Sequence, residues 1–324
     1  MGELLFIGSC EGTFYAINKS SGQVQWSYDI RKDGRQQSFH GDPLISNDLI
    51  LIGTDRSCDP EGVGHTYAFE RNSGKVRWKY RSTSVPTDIV QINSNVYFGS
   101  FQGIWSSLDL HTGDPKWSFS TGVINKDCHI PKAPVTDASH LFIDGLEGVI
   151  YSLEASTGRV SWKRRLPSVA STGLALKDKT IYVGTNDNRM YRLDAETGSV
   201  LSEMALEGRP VGRLTFVNDS VLMFLENAAE RTGYIISVDS KLTRVHWNRK
   251  SSPDWASERP HLWEGSVVAG NCRGDITAFR VADGAPQWNL NVKGCIRSIG
   301  SSGNMLFAGA QEGTIYAFQL PPKR

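Results

Sequence analysis

The sequence predicts an all-β fold: an eight-bladed β-propeller of four-stranded antiparallel blades, with the first and last blades incomplete. Three observations carry that expectation. A segment of roughly 40 residues recurs along the 324-residue chain. Each copy reads as four short apolar strands separated by Gly-containing turns, the pattern of small sheets repeated around an axis. Six of the nine tryptophans fall in one slot of the repeat: Trp26, Trp78, Trp117, Trp162, Trp247 and Trp288.

The second half of the repeat is clearest in Ala16-Ile17-Asn18-Lys19-Ser20-Ser21-Gly22-Gln23-Val24-Gln25-Trp26 and Ser107-Leu108-Asp109-Leu110-His111-Thr112-Gly113-Asp114-Pro115-Lys116-Trp117. A further copy over 192–202 keeps Asp194 and Thr197-Gly198 but carries Ser202 in the tryptophan slot. With that slot at 26, 78, 117, 162, 202, 247 and 288, the spacings are 52, 39, 45, 40, 45 and 41 residues. A large ring in a fixed slot buries much apolar area between neighbours, so these tryptophans are read as blade-docking residues. The Gly of each Ser/Thr-Gly pair supplies the positive φ that a tight hairpin needs. With strands labelled A (inner) to D (outer), copy two has A near 40–46, B at 49–54, C at 65–69 and D at 75–81. The first copy starts at B, with 4–7; the last has A at 295–300, B at 305–309 and C at 314–318, and no D. Eight B and C strands are therefore expected against seven A and D strands, in one domain spanning 1–324.

Composition narrows the function. Lys and Arg number 35 against 34 Asp and Glu, a net charge of +1 with no basic stripe, which argues against nucleic-acid partners. Lys163, Arg164 and Arg165 fall in a D strand and read as a charged edge that discourages sheet-to-sheet pairing. No apolar run approaches the ~20 residues that span a bilayer, and the N-terminus lacks a basic region followed by an apolar one. Cys10, Cys58, Cys128, Cys272 and Cys295 form an odd set without a CxxC pair. They fit reduced thiols of a cytoplasmic protein better than a disulfide framework, with one disulfide left open. The periplasm is the alternative if an N-terminal signal has been removed. Cys10 and Cys272 occupy matching turns, Gly8-Ser9-Cys10-Glu11-Gly12 and Gly270-Asn271-Cys272-Arg273-Gly274, where a small residue is what a tight turn accepts.

In a four-stranded meander the A–B and C–D loops share one end of the blade, and the B–C and D–A loops share the other. The C–D loops read as uniform Ser/Thr-Gly turns. Irregular segments fall at the other end, over 31–39, 55–64, 121–129, 226–233 and 251–259. Function concentrates on variable loops held by a rigid scaffold, so the B–C/D–A face and the channel mouth beneath it are the expected site. The early A-strand residues there are polar: His40 and Asp42, Thr87 and Asp88, His129 and Lys132, Thr172, Arg209 and Arg213, Arg259 and His261, and Arg297. Asp88, Lys132, Arg213, Arg259 and Arg297 suit a small polar or anionic ligand, which Arg clasps by paired hydrogen bonds. Trp255, outside the docking slot in a polar loop, suits a protein or peptide contact. His40, Asp42, His129 and His261 are the catalytic candidates of an alternative, enzymatic reading. In it, Asp42 orients His40 as a general base, because residues two apart on a strand point the same way. His40, His129 and His261 come from A strands of copies two, four and seven, so no metal site is expected of them.

The pattern Ala-x-Asp-x-x-Thr-Gly-x-x-x-Trp resembles the tryptophan-docking motif of PQQ-like propellers, the quinoprotein-type and BamB-like repeat family, over nearly the whole chain. The resemblance implies a propeller. For function it implies either a quinone-dependent dehydrogenase or an outer-membrane assembly scaffold of BamB type. It also admits the terminal domain of a larger, for instance adenylate-forming, enzyme. The dehydrogenases hold PQQ with Ca²⁺ and an adjacent-cysteine disulfide. This sequence has no Cys-Cys pair, and its nearest approach to a carboxylate cluster is Asp55, Asp59 and Glu61 in a turn-rich loop. No cofactor is expected, neither PQQ nor calcium. The leading expectation is a non-catalytic propeller that binds a partner protein, a peptide or a small polar ligand on its B–C/D–A face.

Overall fold

The B strands explain the rest of the architecture. Leu49-Ile50-Leu51-Ile52 is an unbroken apolar run, and every one of its side chains is buried. Successive strand residues point to opposite faces, so such a run needs apolar cover on both sides. In the computed structural model, which describes residues 3–34, 38–56, 59, 62–85, 87–124, 132–251 and 259–319, Ile50 and Ile52 pack toward the preceding sheet and Leu49 and Leu51 toward the following one.

The described residues form thirty strands in eight antiparallel sheets, with a single 3-10 turn at Ile30–Asp33. By compactness the chain divides into two units, Met1–Pro167 and Ser168–Arg324. Unit one holds blade one, β1 (Leu4–Gly8), β2 (Thr13–Asn18) and β3 (Val24–Asp29), and blade two, β4 (Leu44–Ser46), β5 (Leu49–Gly53), β6 (Val63–Glu70) and β7 (Val76–Thr83). It continues with blade three, β8 (Val90–Ile92), β9 (Asn95–Gly99), β10 (Ile104–Asp109) and β11 (Pro115–Ser120), and blade four, β12 (Val135–Thr136), β13 (His140–Asp144), β14 (Val149–Glu154) and β15 (Val160–Arg165). Unit two holds blade five, β16 (Ala175–Lys177), β17 (Thr180–Thr185), β18 (Arg189–Asp194) and β19 (Val200–Ala205), and blade six, β20 (Arg209–Val217), β21 (Ser220–Asn227), β22 (Thr232–Asp239) and β23 (Val245–Ser251). Blade seven is β24 (His261–Trp263), β25 (Ser266–Gly270), β26 (Asp275–Arg280) and β27 (Pro286–Asn291), and blade eight is β28 (Ile296–Ser302), β29 (Met305–Ala310) and β30 (Ile315–Gln319). The fold class is all-β, an eight-bladed β-propeller. Blade one has no A strand and blade eight no D strand among the described residues, as the repeat predicts.

The core lies between blades. Within unit one the apolar clusters join blades one and two, two and three, and three and four. Within unit two they join five and six, six and seven, and seven and eight. Each D strand meets its C strand with a register shift next to the tryptophan slot, at Ala16/Ile17 in blade one and at the matching step through blade seven. Such a bulge sharpens the local twist of the strand that carries the ring.

The slot docks on the next blade in a repeated way. The indole N–H groups of Trp26, Trp78, Trp117 and Trp247 donate to the carbonyls of Arg71, Leu110, Ala155 and Val281, at 2.9, 2.9, 2.9 and 2.8 Å. The ring face rests on the glycine of the next C–D turn. A Cβ on Gly113 would lie 2.7 Å from the Trp78 ring, and one on Gly74 2.5 Å from Trp26. That glycine is needed twice over, for its φ of +75° at Gly113 and for the absence of a side chain.

Two expectations need correction. The A strand of blade two begins at Leu44, not near residue 40. Pro43 has no N–H for a ladder, and Gly41 runs so close to blade three that a Cβ would sit 2.6 Å from the Thr87 carbonyl oxygen. His40 and Asp42 therefore lie on a non-strand entry segment. The C–D turns are also not uniform: blade six turns through Asp239-Ser240-Lys241-Leu242-Thr243, with Leu242 at a φ of +58°. The preceding blade explains it. Blade five has Ser202 where the others have Trp; in blade six Thr243 stands where the other turns have glycine, and the neighbouring Leu242 is buried in the cluster between blades five and six. Across the sheet, Arg192 pairs with Ser202, where Ala16, Ala68 and Ala278 pair with Trp26, Trp78 and Trp288. Large and small have changed places. Ser202 Oγ donates to the Lys241 carbonyl at 3.0 Å, and the Arg192 guanidinium lies over the Tyr182 ring.

This arrangement predicts a contrast within one slot. Trp78→Ala should cost about 3–5 kcal/mol, the usual range for truncating a buried tryptophan, and Ser202→Ala about 1 kcal/mol. Urea unfolding of the two variants measures the difference.

Candidate functional site

The B–C and D–A loops of unit one are built around carboxylates that bridge neighbouring blades. The entry segment of blade two pairs with the B–C insertion of the same blade: Ser38 N–H donates to the Asp55 carbonyl at 3.3 Å and Asp55 N–H to the Ser38 carbonyl at 3.1 Å. The Asp55 side chain is fully buried. One carboxylate oxygen accepts Ser38 Oγ at 2.8 Å, and the other meets His40 Nδ1 at 2.6 Å. The far side of the insertion is fixed by Ser84, which takes Arg56 N–H at 3.1 Å and donates to the Asp59 carbonyl at 3.2 Å.

His40 is thus oriented by a carboxylate, but by Asp55 and not by Asp42. Asp42 instead gives its backbone N–H to Asp88 Oδ1 at 2.7 Å, tying blade two's entry to blade three's. In a catalytic triad the imidazole stands between hydroxyl and acid. Here the acid stands between hydroxyl and imidazole. Thr87 and Thr172 fill a common slot in their two units. Each hydroxyl accepts the N–H of the glycine at the fifth position of its B strand, Gly99 at 2.8 Å and Gly184 at 2.8 Å.

A second polar cluster anchors the 31–39 connection. Asp33 accepts Tyr28 Oη at 2.6 Å, Tyr67 Oη at 3.0 Å and Lys79 Nζ at 2.8 Å. Burial works against its charge, but those three bonds prevail and hold the carboxyl below its usual range. Burial, and then the Asp33 bond, push the Tyr28 hydroxyl up. Burial, and then the Lys79 charge, hold the neighbouring His65 down. Sequence reasoning passed over this cluster, because its members come from four separate elements.

In unit two the candidates are cationic. Arg209 pairs with Glu226 at 2.5 Å. Arg213 lies where β20 loses register between Val211 and Thr215, and Arg297 is the extra residue of a bulge in β28 between Ile296 and Ser298. Arg297 donates twice to Gln311 Oε1, at 3.1 and 2.9 Å. Bulges re-aim side chains, so both arginines leave the strand alternation from which they were read. Arg259 is exposed, and His261 meets Ser301 Oγ of blade eight at 2.9 Å. Burial, and then Arg259, hold the His261 imidazole below its usual range. His129, Trp255, Cys58, Cys128 and Glu61 lie outside the described residues.

Lys132 leads to a residue that the sequence reading missed. Asp144 is the fifth residue of β13, the position that Gly8, Gly53, Gly99, Gly184, Gly270 and Gly309 hold in the B strands of six other blades. Burial pushes its carboxyl up to about 6, against the Leu146 N–H at 3.0 Å and the Lys132 charge. The eight B-strand ends written one above another would have revealed it. The cysteines also differ from expectation: Cys272 and Cys295 form a disulfide, whereas Cys10 is free and exposed.

These features define a class: a PQQ-like propeller scaffold with elaborated B–C and D–A loops, whose candidate acids and bases hold those loops together. The family model described as outer membrane protein assembly factor BamB matches residues 1–123 and 106–321, and the chain belongs to that family. The outer membrane protein assembly factor BamB of Xanthomonas campestris pv. campestris is 25% identical over 336 residues, covering 86% of this chain and 79% of that protein. The crystal structure of BamB from Moraxella catarrhalis superposes with a TM-score of 0.80 at 17% identity, covering 99% of this chain and 95% of that one, a likeness of fold. The quinohemoprotein alcohol dehydrogenase ADH-IIG of Pseudomonas putida is 23% identical over 222 residues, which span 64% of this chain but 27% of the enzyme.

Among the described residues, the carboxylates nearest to a cation cluster already hold protein groups. A hard cation needs several free oxygen ligands. The Asp55 oxygens are engaged by Ser38 and His40, and an Asp88 oxygen by Asp42 N–H. Among the described residues no group of three or more His, Cys, Asp or Glu could hold a metal ion.

Asp144 gives a pH test. Its folded value near 6 exceeds the ordinary 3.8, so between those values the folded state binds the extra proton. Stability contributed by the neutral acid is present below pH ~4 and lost as pH rises through ~6. Asp144→Asn should therefore stabilise the protein at pH 8 by on the order of 1–3 kcal/mol and leave it unchanged near pH 4. An equal effect at both pH values would contradict the assignment.

Proposed function

We propose that the chain is a non-catalytic assembly scaffold of the outer-membrane assembly type, binding partner proteins on its B–C and D–A loops. The observation that carries the non-catalytic part is the Asp55 arrangement. The imidazole of His40 and the hydroxyl of Ser38 meet opposite oxygens of one buried acid and hold a loop, with the acid and not the imidazole between them. Family membership supports the assembly role, since the relatives are named for outer-membrane protein assembly. The loops offer a partner fixed polar groups on rigid blades, the arrangement that specific recognition favours.

We propose no resident cofactor, neither PQQ nor calcium. The compartment read from the cysteine count gives way to the periplasm. The Cys272–Cys295 disulfide is a bond of oxidising compartments and rare in the cytosol, and an outer-membrane role requires export. No helix among the described residues is long and apolar enough to cross a membrane.

The test is site-specific photo-crosslinking in an envelope extract. A photoreactive residue at the exposed Glu11 or Asp187, on B–C turns, should capture an outer-membrane assembly protein. The same residue at the exposed Thr112 or Glu196, on C–D turns, should not. Capture from the C–D turns alone would overturn the assigned face, and capture from neither would overturn the scaffold.

A further inference from the structure

We propose that the Cys272–Cys295 disulfide is a redox latch, closing the seam between blades seven and eight when oxidised and freeing the rim of blade eight when reduced by a dithiol. Cys272 lies in the B–C turn that follows β25, and Cys295 immediately precedes β28, so the bond joins consecutive blades at their B–C/D–A end. The bond lies at one end of a seam whose interior is the apolar cluster joining blades seven and eight. Ile296 N–H donates to the Asn271 carbonyl at 3.1 Å, and the Ile296 side chain fills the space over Gly270, where a Cβ would lie 2.6 Å from its Cγ2. At the opposite end of the seam the Trp263 indole donates to the Gly303 carbonyl at 3.0 Å. Loss of the disulfide therefore releases one end of blade eight while the other stays docked.

What is released is the rim itself. Cys295 N–H donates to the Glu312 carboxylate at 3.1 and 3.3 Å, and the Cys295 carbonyl accepts Gln311 N–H at 2.8 Å. Two residues on, Arg297 grips the Gln311 side chain. Cys295, Arg297, Gln311 and Glu312 thus move as one group. Insofar as the latch regulates recognition, it rests on the reading of these loops as the binding surface.

The chemistry is accessible from one side. Cys272 is exposed, whereas Cys295 is 7% exposed. A dithiol thiolate attacks Cys272 Sγ, the S–S bond breaks, and Cys295 leaves as a thiolate that takes up a proton. The second thiol of the reductant then attacks the mixed disulfide and releases Cys272 as a thiol. The protein disulfide gains two electrons and two protons, and the dithiol is oxidised to its own disulfide. The first seam of unit one shows the same site without the bond. Phe39 covers Gly8 as Ile296 covers Gly270, Cys10 stands two residues after that glycine as Cys272 does, and Ser38 precedes Phe39 as Cys295 precedes Ile296. There Ser38 is held by Asp55 of its own blade, as Cys295 is by Gln311, and Cys10 is free.

Hydrogen exchange on the purified chain, without any partner, tests the latch before and after dithiothreitol and in Cys272→Ser. Amides of β28, of β29 and of the turn at 311–313 should exchange at least about tenfold faster in the reduced and substituted forms, with β16 to β23 unchanged. Unchanged exchange in blade eight would overturn the proposal. So would loss of protection throughout unit two at once, or an intact mass that shows both cysteines as thiols before reductant is added. Because no partner enters this measurement, its failure leaves the crosslinking test of the scaffold reading intact.

Discussion

The indole of one blade lying on a bare glycine of the next is the contact on which the repeat depends. The ring supplies apolar area and one N–H donor, and the next turn supplies a carbonyl and a flat seat. The seat stays flat only if its residue has no Cβ, and the turn closes only at positive φ, so glycine answers both demands. Blade five shows that the contact is a matter of filled volume, not of tryptophan as such. When the ring shrinks to Ser202, the opposing strand residue grows to Arg192 and Leu242 of the next turn is buried in the same cluster. Leu242 takes a left-handed backbone at a steric cost that its burial offsets.

Strands buried on both faces leave little room for chemistry. Polar side chains that enter these blades must be satisfied where they stand, which confines variation to the ends of the sheets. There polar groups tie loop segments at nearly the same point. Thr87 and Thr172 each accept the N–H of a glycine in the B strand of their own blade, Asp55 joins Ser38 and His40, and a disulfide joins Cys272 of blade seven to Cys295 of blade eight. Ser38, His40 and Asp55, which resemble catalytic parts in isolation, hold loop segments in place.

The fold was legible because packing between blades repeats, and a repeated packing demand writes a repeated residue: Trp in one slot, Gly in another, an apolar run between. The count of strands per blade and the two short blades followed from that alone. The site was legible as a region and not as a set of contacts. His40 and Asp42 were paired on the assumption that a strand runs through them, and Gly41 and Pro43, which forbid it, stood in plain view. Asp55 was read as a turn residue because nothing local announces that its carboxylate is buried against the entry segment of its blade. The cysteines were misjudged for a related reason. Residues 272 and 295 are 23 apart in sequence and adjacent only because consecutive blades share a seam.

The same logic bears on how a scaffold of this kind recognises anything. A loop that is free before binding loses conformational freedom on binding, and that loss reduces affinity. Here the loop ends are ordered in advance by side-chain bonds to residues of other elements. Asp33 is held by two tyrosines and a lysine, and Asp55 by a serine and a histidine. These bonds contribute little that an apolar contact of the same shape would not, since a buried acid must be desolvated before it is paired. What they add is direction, because a carboxylate with both oxygens engaged fixes the backbone on either side of it. A surface assembled this way presents backbone and side-chain groups at set positions, and a partner then gains from contacts without having to order them. The value of a buried acid at the rim of a blade therefore lies less in stability than in holding the rim in one conformation.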